Sequence, residues 1–518
     1  MKRDVSRLEC KNFDVLVIGG GINGSCIAHL SAAAGASVAL IEKDDWASGA
    51  SSASTKLLHG GLRYLENLEF DLVKESLRER SIQLKIAPHL SCPLAFIIPV
   101  YRGDARPLWM MQIGVKIYQY LSGRWSLGNH RRLTIDEIIA AAPGISRKGL
   151  LGGVEYFDAQ MDDARMCLEN VLMADKFGAV TANGIKAVEF ICKNGRAIGV
   201  KARNEADGRT FEIRASRIIV AAGPWSDEII QKDKPGALKR LRVTKGTHVI
   251  YEGQVASKAF LIQSRQDRRV FFMIPFKGHS LIGTTDTDYH GSPDDVTVDK
   301  ADIDYLLKES SRVFPNLKFD HSKIIASFAG LRPLVADLGD PSRISRKHAI
   351  DVSRNGVFFV MGGKYTTYRS ISEEVVKKAL PQLTGKVMPL NEFRLYGSGD
   401  GLDARALAAR YAVPVGTAAY LKGFYGCRAA DVLELTLSDA SLKNSICACS
   451  PVIAAQVVYA RDVEMALGVE DVIRRRLGLA FVPCPEGACR LWIKKLMNRD
   501  SCTGSTNISI EKDGYDKF

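Results

Sequence analysis

The chain has 518 residues, more than one hydrophobic core organises, and about two to four domains are predicted. At 46% hydrophobic and 25% charged residues the composition excludes a disordered chain. A net charge of +13 suits an acidic substrate, an anionic membrane surface, or solubility alone, and because the Lys and Arg are spread along the chain, nucleic acid is discounted as a partner.

The opening MKRDVSRLECKNFD is basic and lacks an apolar core, so it does not read as a secretory signal. Residues 14–18 (DVLVI) form a short β-branched apolar run, the mark of a buried parallel strand. Gly19-Gly20-Gly21 follows, then an Ala-rich helical pattern over 22–34 closed by Gly35, then a second strand over 37–42. Gly19-x-Gly21-x-x-Gly24 thus sits in a complete βαβ context, with Glu42 ending the next strand. Gly19 permits the tight turn, Gly21 the approach of a pyrophosphate to the helix N-terminus, and Gly24 the close packing of helix on strand. Glu42 is the expected acceptor for the two ribose hydroxyls.

Residues 51–66, SSASTKLLHGGLRYLE, set small hydroxyl residues before His59, Gly60, Gly61, Arg63 and Tyr64. Residues 66–86 carry apolar positions at helical spacing among many charges and predict a surface helix. The stretch PLWMMQIGVKIYQYLSGRW (107–125) predicts an amphipathic helix, packed on the core in the first reading and lying in a membrane interface in the second. No apolar run reaches 18 residues, so no membrane-spanning helix is expected.

Residues 211–223 and 268–287 are rich in strand formers, the second folding as a hairpin at Lys277-Gly278-His279. Two later strand ends also carry glycine: Ala222-Gly223-Pro224-Trp225 and Gly362-Gly363-Lys364. Three such ends, widely separated and without a second GxGxxG unit, favour one long cofactor, FAD, over NAD. From about residue 390 the pattern turns helical, notably over 457–479. The chain has 11 cysteines, an odd number that speaks against a disulfide scaffold. Cys447 with Cys449, and Cys484 with Cys489, lack ligand-like spacing with a nearby His, so no metal is expected.

Six segments carry a resemblance: GGGINGSCIA (19–28), SSASTKLLHGGLRYLE (51–66), KGTHVI (245–250), IGTTDTDY (282–289), AGLRPL (329–334) and GGKYTTYR (362–369). Together they resemble the FAD-dependent, membrane-associated glycerol-3-phosphate dehydrogenases. The resemblance implies an α/β fold: a Rossmann-like FAD-binding domain, a mixed antiparallel-sheet substrate domain and a helical C-terminal cap. The corresponding boundaries are 1–85, 150–240 and 330–388 for the FAD-binding domain, 86–149 and 241–329 for the substrate domain, and 389–518 for the cap. It implies oxidation of sn-glycerol 3-phosphate, a phosphorylated polyol, to dihydroxyacetone phosphate, reduction of FAD, and transfer of electrons to a membrane quinone. It also implies a cytoplasmic protein, peripheral on the inner face of the cell membrane, and allows a homodimer.

Site roles follow from the same motifs. Arg332 and Arg63 are candidate substrate ligands, because guanidinium is the permanent planar cation that a phosphate dianion needs, and Arg346 aligns with a further family arginine. Lys364 is placed to stabilise the reduced flavin ring, and Thr366 to bond substrate or flavin or to cap a helix. Loss of the C2 hydroxyl proton calls for a base tuned near neutrality, and both His59 and His248 are candidates. Tyr64 is a candidate donor on the substrate side. Ser51, Ser52, Ser54 and Thr55 are expected to serve the cofactor, Gly60 to let the chain pass its ring, and Gly223 and Gly363 to line it. The alternatives are a glycerophosphate oxidase that reduces O2 to peroxide, and a non-catalytic flavin-binding protein. The fold alone also admits a flavoenzyme acting on amines.

Overall fold

The computed structural model describes residues 1, 3–335, 348–386, 392–484 and 487–498. Arg346 lies outside them. The expected first strand, Asn12–Ile18, is the centre of an eight-stranded sheet. It pairs in parallel with Val38–Ile41 on one side and Thr210–Val220 on the other, and the latter pairs in parallel with Val357–Gly362. Val15, Leu16 and Val17 are fully buried, since helices cover one face and an antiparallel extension built from Ile185–Lys193 and Arg196–Asn204 bears on the other. The helix Ile22–Ala33 packs on this sheet with small residues on nearly every side, which explains its weak amphipathicity.

The second sheet has ten strands. Leu241–Tyr251 pairs with Ile324–Val335 and with His279–Gly283, and the order then runs through Val270–Phe276, Ala259–Gln263, Ser91–Tyr101 and Leu150–Met161. All neighbours are antiparallel except Ala259–Gln263 with Ser91–Tyr101. Side chains alternate between two cores: Ile97, Val249 and Ile282 face one, Phe96, Ile98, Ile250 and Leu281 the other. The hairpin turns where expected, with Lys277 at φ 50° and Gly278 at φ 78°, the handedness that suits a tight two-residue connection. Residues 150–161, expected in the first unit, instead pair within this second sheet, as does Leu57–Leu58.

The helix Phe70–Ile86 exposes Asp71, Lys74, Arg78 and Lys85 on one face, as expected of a surface helix, but its inner face is not purely apolar. It buries Glu79 and Arg80 along with Leu72, Val73 and Leu77, because each charge meets a partner from elsewhere. Glu79 takes two bonds from Arg369, at 2.6 and 2.9 Å, and Arg80 donates to Asp158 at 2.7 Å. The helix Leu108–Ser122 packs one face on the core, as in the first reading, and leaves a second apolar face uncovered. It buries Val115 and Tyr118, while Trp109 (62% exposed), Met110, Ile113 (52%) and Ile117 face outward.

The C-terminal unit is a bundle of short helices from Ala404–Tyr411 to Ala488–Met497 around one apolar core. The predicted helical run 457–479 is interrupted: a helix ends at Asp462, and a single turn covers Asp471–Arg476. Buried ion pairs join this cap to the first unit. Arg476 spans both oxygens of Asp45 at 2.7 and 2.9 Å, and Arg165 donates to Glu464 at 2.6 Å.

Candidate active site

A cavity of about 370 Å³ lies between the two sheets, and strand ends of both supply its walls. At one end stands the fingerprint. Gly19 has φ 113°, and a Cβ there would meet the Ala221 carbonyl oxygen at 2.4 Å, while a Cβ on Gly24 would meet the Gly19 carbonyl oxygen at 1.9 Å. These contacts explain why the motif needs glycine at both positions. Gly24 serves packing and does not line the cavity; Gly19 and Gly21 do. Glu42 accepts from the Gly20 N–H at 2.6 Å and the Asp44 N–H at 2.9 Å. Burial pushes its pKa up to about 7, and those two N–H groups only partly offset the effect. The Ser51 hydroxyl accepts from the Ile22 N–H at 2.9 Å, at the helix start. Beside it the buried Asn23 Oδ1 has no hydrogen-bond partner and faces the cavity. Gly223 (φ 54°) and Gly363 (φ 86°) line the wall. A glycine cradle, a helix N-terminus and a ribose acceptor are what a dinucleotide requires, so these residues fit FAD.

The other end gathers charge and histidine. The 51–55 loop lies against the strand Ile324–Val335 so closely that a Cβ on Gly330 would meet the Ala53 carbonyl oxygen at 2.7 Å. Ser54 turns its hydroxyl to Asp163 at 2.6 Å, although the residue lines the cavity. Ser52, by contrast, is not a lining residue; its carbonyl takes the Lys56 ammonium at 3.1 Å. Lys56 and Asp163 form a buried pair at 2.6 Å that braces the loop. Gly60 also stands back from the cavity, donating its N–H to the Tyr118 hydroxyl at 2.8 Å, while Gly61 (φ 83°) takes its place at the wall. Tyr118 in turn donates to Asp158, the partner of Arg80, so the buried charges of the helix Phe70–Ile86 fix the path of residues 57–61.

Thr366 lines the cavity and caps no helix through its side chain. Its hydroxyl accepts from the His59 N–H at 3.2 Å and donates to the His59 carbonyl at 3.3 Å, clamping the backbone of that histidine. The Lys364 ammonium lies 3.9 Å from the Tyr64 ring centroid and 3.0 Å from the Ser76 hydroxyl, at the cavity wall. Arg332 donates to the Thr284 hydroxyl at 2.8 Å and to Asp286 at 3.1 Å. Gly246, on the neighbouring strand, makes this possible: a Cβ there would meet Arg332 Nη2 at 2.2 Å. Arg63 lines the same end, and among the described residues it makes no ion pair. Arg269 lines the cavity too and donates to the Asp286 carbonyl. Arg269 does not stand out in the sequence, because QSRQDRRV carries four charges of both signs beside a strand; Asp286 lies in the IGTTDTDY segment but receives no role there.

The two histidines differ. His248 is 1% exposed, stacks on Phe328 with ring centroids 4.9 Å apart, and bonds the Thr55 hydroxyl through Nε2 at 2.9 Å. Burial first, then the charges of Arg332 and Lys56, hold its pKa well below the ordinary value, so it is neutral near pH 7. His59 is only partly buried, at the cavity wall. The cavity therefore joins a dinucleotide cradle to a cationic pocket with two histidines, an arrangement for withdrawing hydride and proton from an anionic alcohol.

Residues 14–369 match the family described as FAD dependent oxidoreductase, and residues 391–489 match the C-terminal domain of alpha-glycerophosphate oxidase. The chain is 38% identical over 507 residues to the glycerol-3-phosphate dehydrogenase of Synechocystis sp., covering 93% of this chain and 91% of that one. It is 30% identical over 550 residues to the alpha-glycerophosphate oxidase of Streptococcus pyogenes, covering 91% and 89%. Among solved structures, the glycerol-3-phosphate dehydrogenase from Bacillus halodurans complexed with FAD superposes with a TM-score of 0.75 at 27% identity, covering 95% of this chain and 90% of that one. A cradle that fits FAD, two consecutive domain matches and relatives aligned over nearly the whole length lead to one assignment: the chain belongs to the family of FAD-dependent glycerol-3-phosphate dehydrogenases.

Proposed function

We propose that the protein oxidises sn-glycerol 3-phosphate to dihydroxyacetone phosphate and passes the electrons to a membrane quinone. The observation that carries the reading is the convergence of Arg63, Arg332 and Lys364 with His59 at one end of the cavity. Bound FAD supplies the hydride acceptor. Arg332 and Arg63 hold the phosphate, since guanidinium pairs with phosphate in a planar, multiply hydrogen-bonded geometry. The hydroxyl proton of carbon 2 goes to His59, whose backbone Thr366 clamps on both sides. His248 is the positioning partner: its Nε2 is committed to Thr55, and its Nδ1 is buried. Lys364 places a fixed positive charge beside the reacting centre.

The quinone reading is supported by the outward apolar face of Leu108–Ser122, with Trp109, Met110, Ile113 and Ile117 beside Lys116. No helix among the described residues is long and apolar enough to cross a membrane. Anaerobic addition of sn-glycerol 3-phosphate to the purified protein is expected to bleach the flavin band, and absence of bleaching refutes the substrate assignment. An oxygen electrode beside a quinone-linked dye assay separates the acceptors. Stoichiometric peroxide with no stimulation by quinone favours the oxidase reading, for which the similarity to the Streptococcus pyogenes protein is the ground.

A further inference from the structure

The cap brings together four thiols that are far apart in the chain. Cys447 and Cys449 lie in a turn closed by the antiparallel bridge between Ser445 and Ile453, with Ile446 N–H bonded to the Val452 carbonyl at 3.0 Å. Cys484 precedes the last described helix, and Cys489 is the second residue of that helix, Ala488–Met497. Their Sγ atoms all lie within 4.8 Å of one another; Cys447 and Cys484 are 3.7 Å apart, and Cys449 and Cys489 3.2 Å. In the sequence each pair carries only half of a four-ligand set, and 34 residues of chain separate Cys449 from Cys484. Folding supplies the second half of each set.

We propose that these four cysteines bind a single tetrahedral zinc ion that fastens the helix Ala488–Met497 to the rest of the cap. Zinc–thiolate bonds of about 2.3 Å in a tetrahedron put neighbouring sulfurs ~3.8 Å apart, and the thiols already stand near that spacing. Such compactness suits one metal centre, whereas the cysteines of a multi-iron cluster ligate separate irons and stand farther apart. The surroundings suit thiolate. The Cys449 N–H points to Cys447 Sγ at 3.4 Å, and Cys489 sits in the first turn of a ten-residue helix, where the free N–H groups favour negative charge. Gly487 (φ 62°) turns the chain into that helix and donates its N–H to the Cys484 carbonyl at 3.0 Å. Cys489 is buried and the other three half-buried against the cap core, so the ion is shielded without a water ligand, as in a structural site. Binding displaces the thiol protons and stabilises only the folded cap, because the ligands come from turns that the unfolded chain does not hold together.

The test uses the full-length flavoprotein purified without immobilised metal. Elemental analysis is expected to find one zinc per chain, and X-ray absorption four sulfur neighbours at about 2.3 Å. Cys447→Ser and Cys489→Ser are expected to lose the zinc, while Cys427→Ser, another cap cysteine outside the cluster, keeps it. Measurement on the unaltered protein decides the matter even if the variants fold poorly. Two disulfides by intact mass, four freely alkylated thiols without metal, or stoichiometric iron would each overturn the proposal.

Discussion

Gly246→Ala tests the substrate pocket without touching a charge. The added methyl group would stand 2.2 Å from Arg332 Nη2, 2.6 Å from Cζ and 2.5 Å from the Thr284 hydroxyl. Gly246 cannot retreat, because its strand is paired on both sides of this point, with Gly330 as its register partner. The guanidinium must therefore move by about an ångström to reach ordinary contact distance. It then gives up its 2.8 Å bond to Thr284 and its 3.1 Å contact with Asp286, which fix its direction. A hydrogen bond involving a charged group contributes about 1.5–3 kcal/mol, so kcat/KM for sn-glycerol 3-phosphate should fall roughly 10- to 150-fold. Most of the loss should reside in KM, since the cation remains but no longer points at its ligand. Flavin content and thermal stability should change little, because the displaced side chain is 26% exposed and has the cavity to enter. Steady-state kinetics on flavin-normalised enzyme reads the effect. Unaltered kinetic constants in a folded, flavin-loaded Gly246→Ala protein would show that Arg332 does not hold the substrate.

Other perturbations bear on separate parts of the reasoning. Thr366→Val removes both bonds to the His59 backbone and should lower kcat by about tenfold or more with flavin retained, whereas His59→Gln should lower it further with KM little changed; equal, small effects would argue against His59 as the base. Asp45→Asn breaks the buried pair with Arg476 and should destabilise the cap by about 3–5 kcal/mol in denaturant unfolding, and a loss below ~1 kcal/mol would refute the view that this pair joins cap to body. Burial drives the pKa of buried His29 down to about 4, so the unfolded chain takes up a proton that the folded chain refuses. Stability should thus be complete above about pH 6.5 and decline by roughly 3 kcal/mol towards pH 4, with His248 adding in the same direction; His29→Gln should flatten that slope. Trp109→Ser with Ile113→Ser should weaken co-sedimentation with anionic vesicles while leaving anaerobic flavin bleaching intact, and undiminished sedimentation would remove this helix from the membrane reading.

The parts of the molecule that were legible in the sequence share a physical cause: a local pattern dictates them. Gly19, Gly21 and Gly24 answer to a turn and a packing contact made within a few residues, and the hairpin at Lys277-Gly278 needs only two residues with positive φ. Wherever the sequence misled, the deciding partner was remote. Glu79 and Arg80 read as surface charges because Arg369 and Asp158, which neutralise them, lie on other elements. Trp109 and Ile113 read as core because periodicity records that a helix has an apolar face, not what covers it. Residues 150–161 read as part of the nucleotide-binding unit by their place in the chain, yet they pair with Ser91–Tyr101 in the second, ten-stranded sheet. The cysteines follow the same rule. Cys447 and Cys449 are far in the chain from Cys484 and Cys489, and only the packing of the helix Ala488–Met497 on the cap brings the four thiols together. The 51–66 segment shows both sides at once. Its glycines and small residues announced close passage along a cofactor, but which of them face it depends on Asp163, Tyr118 and Thr366. Those three residues take up the Ser54 hydroxyl, the Gly60 N–H and the His59 backbone, while His59, Gly61 and Arg63 line the cavity.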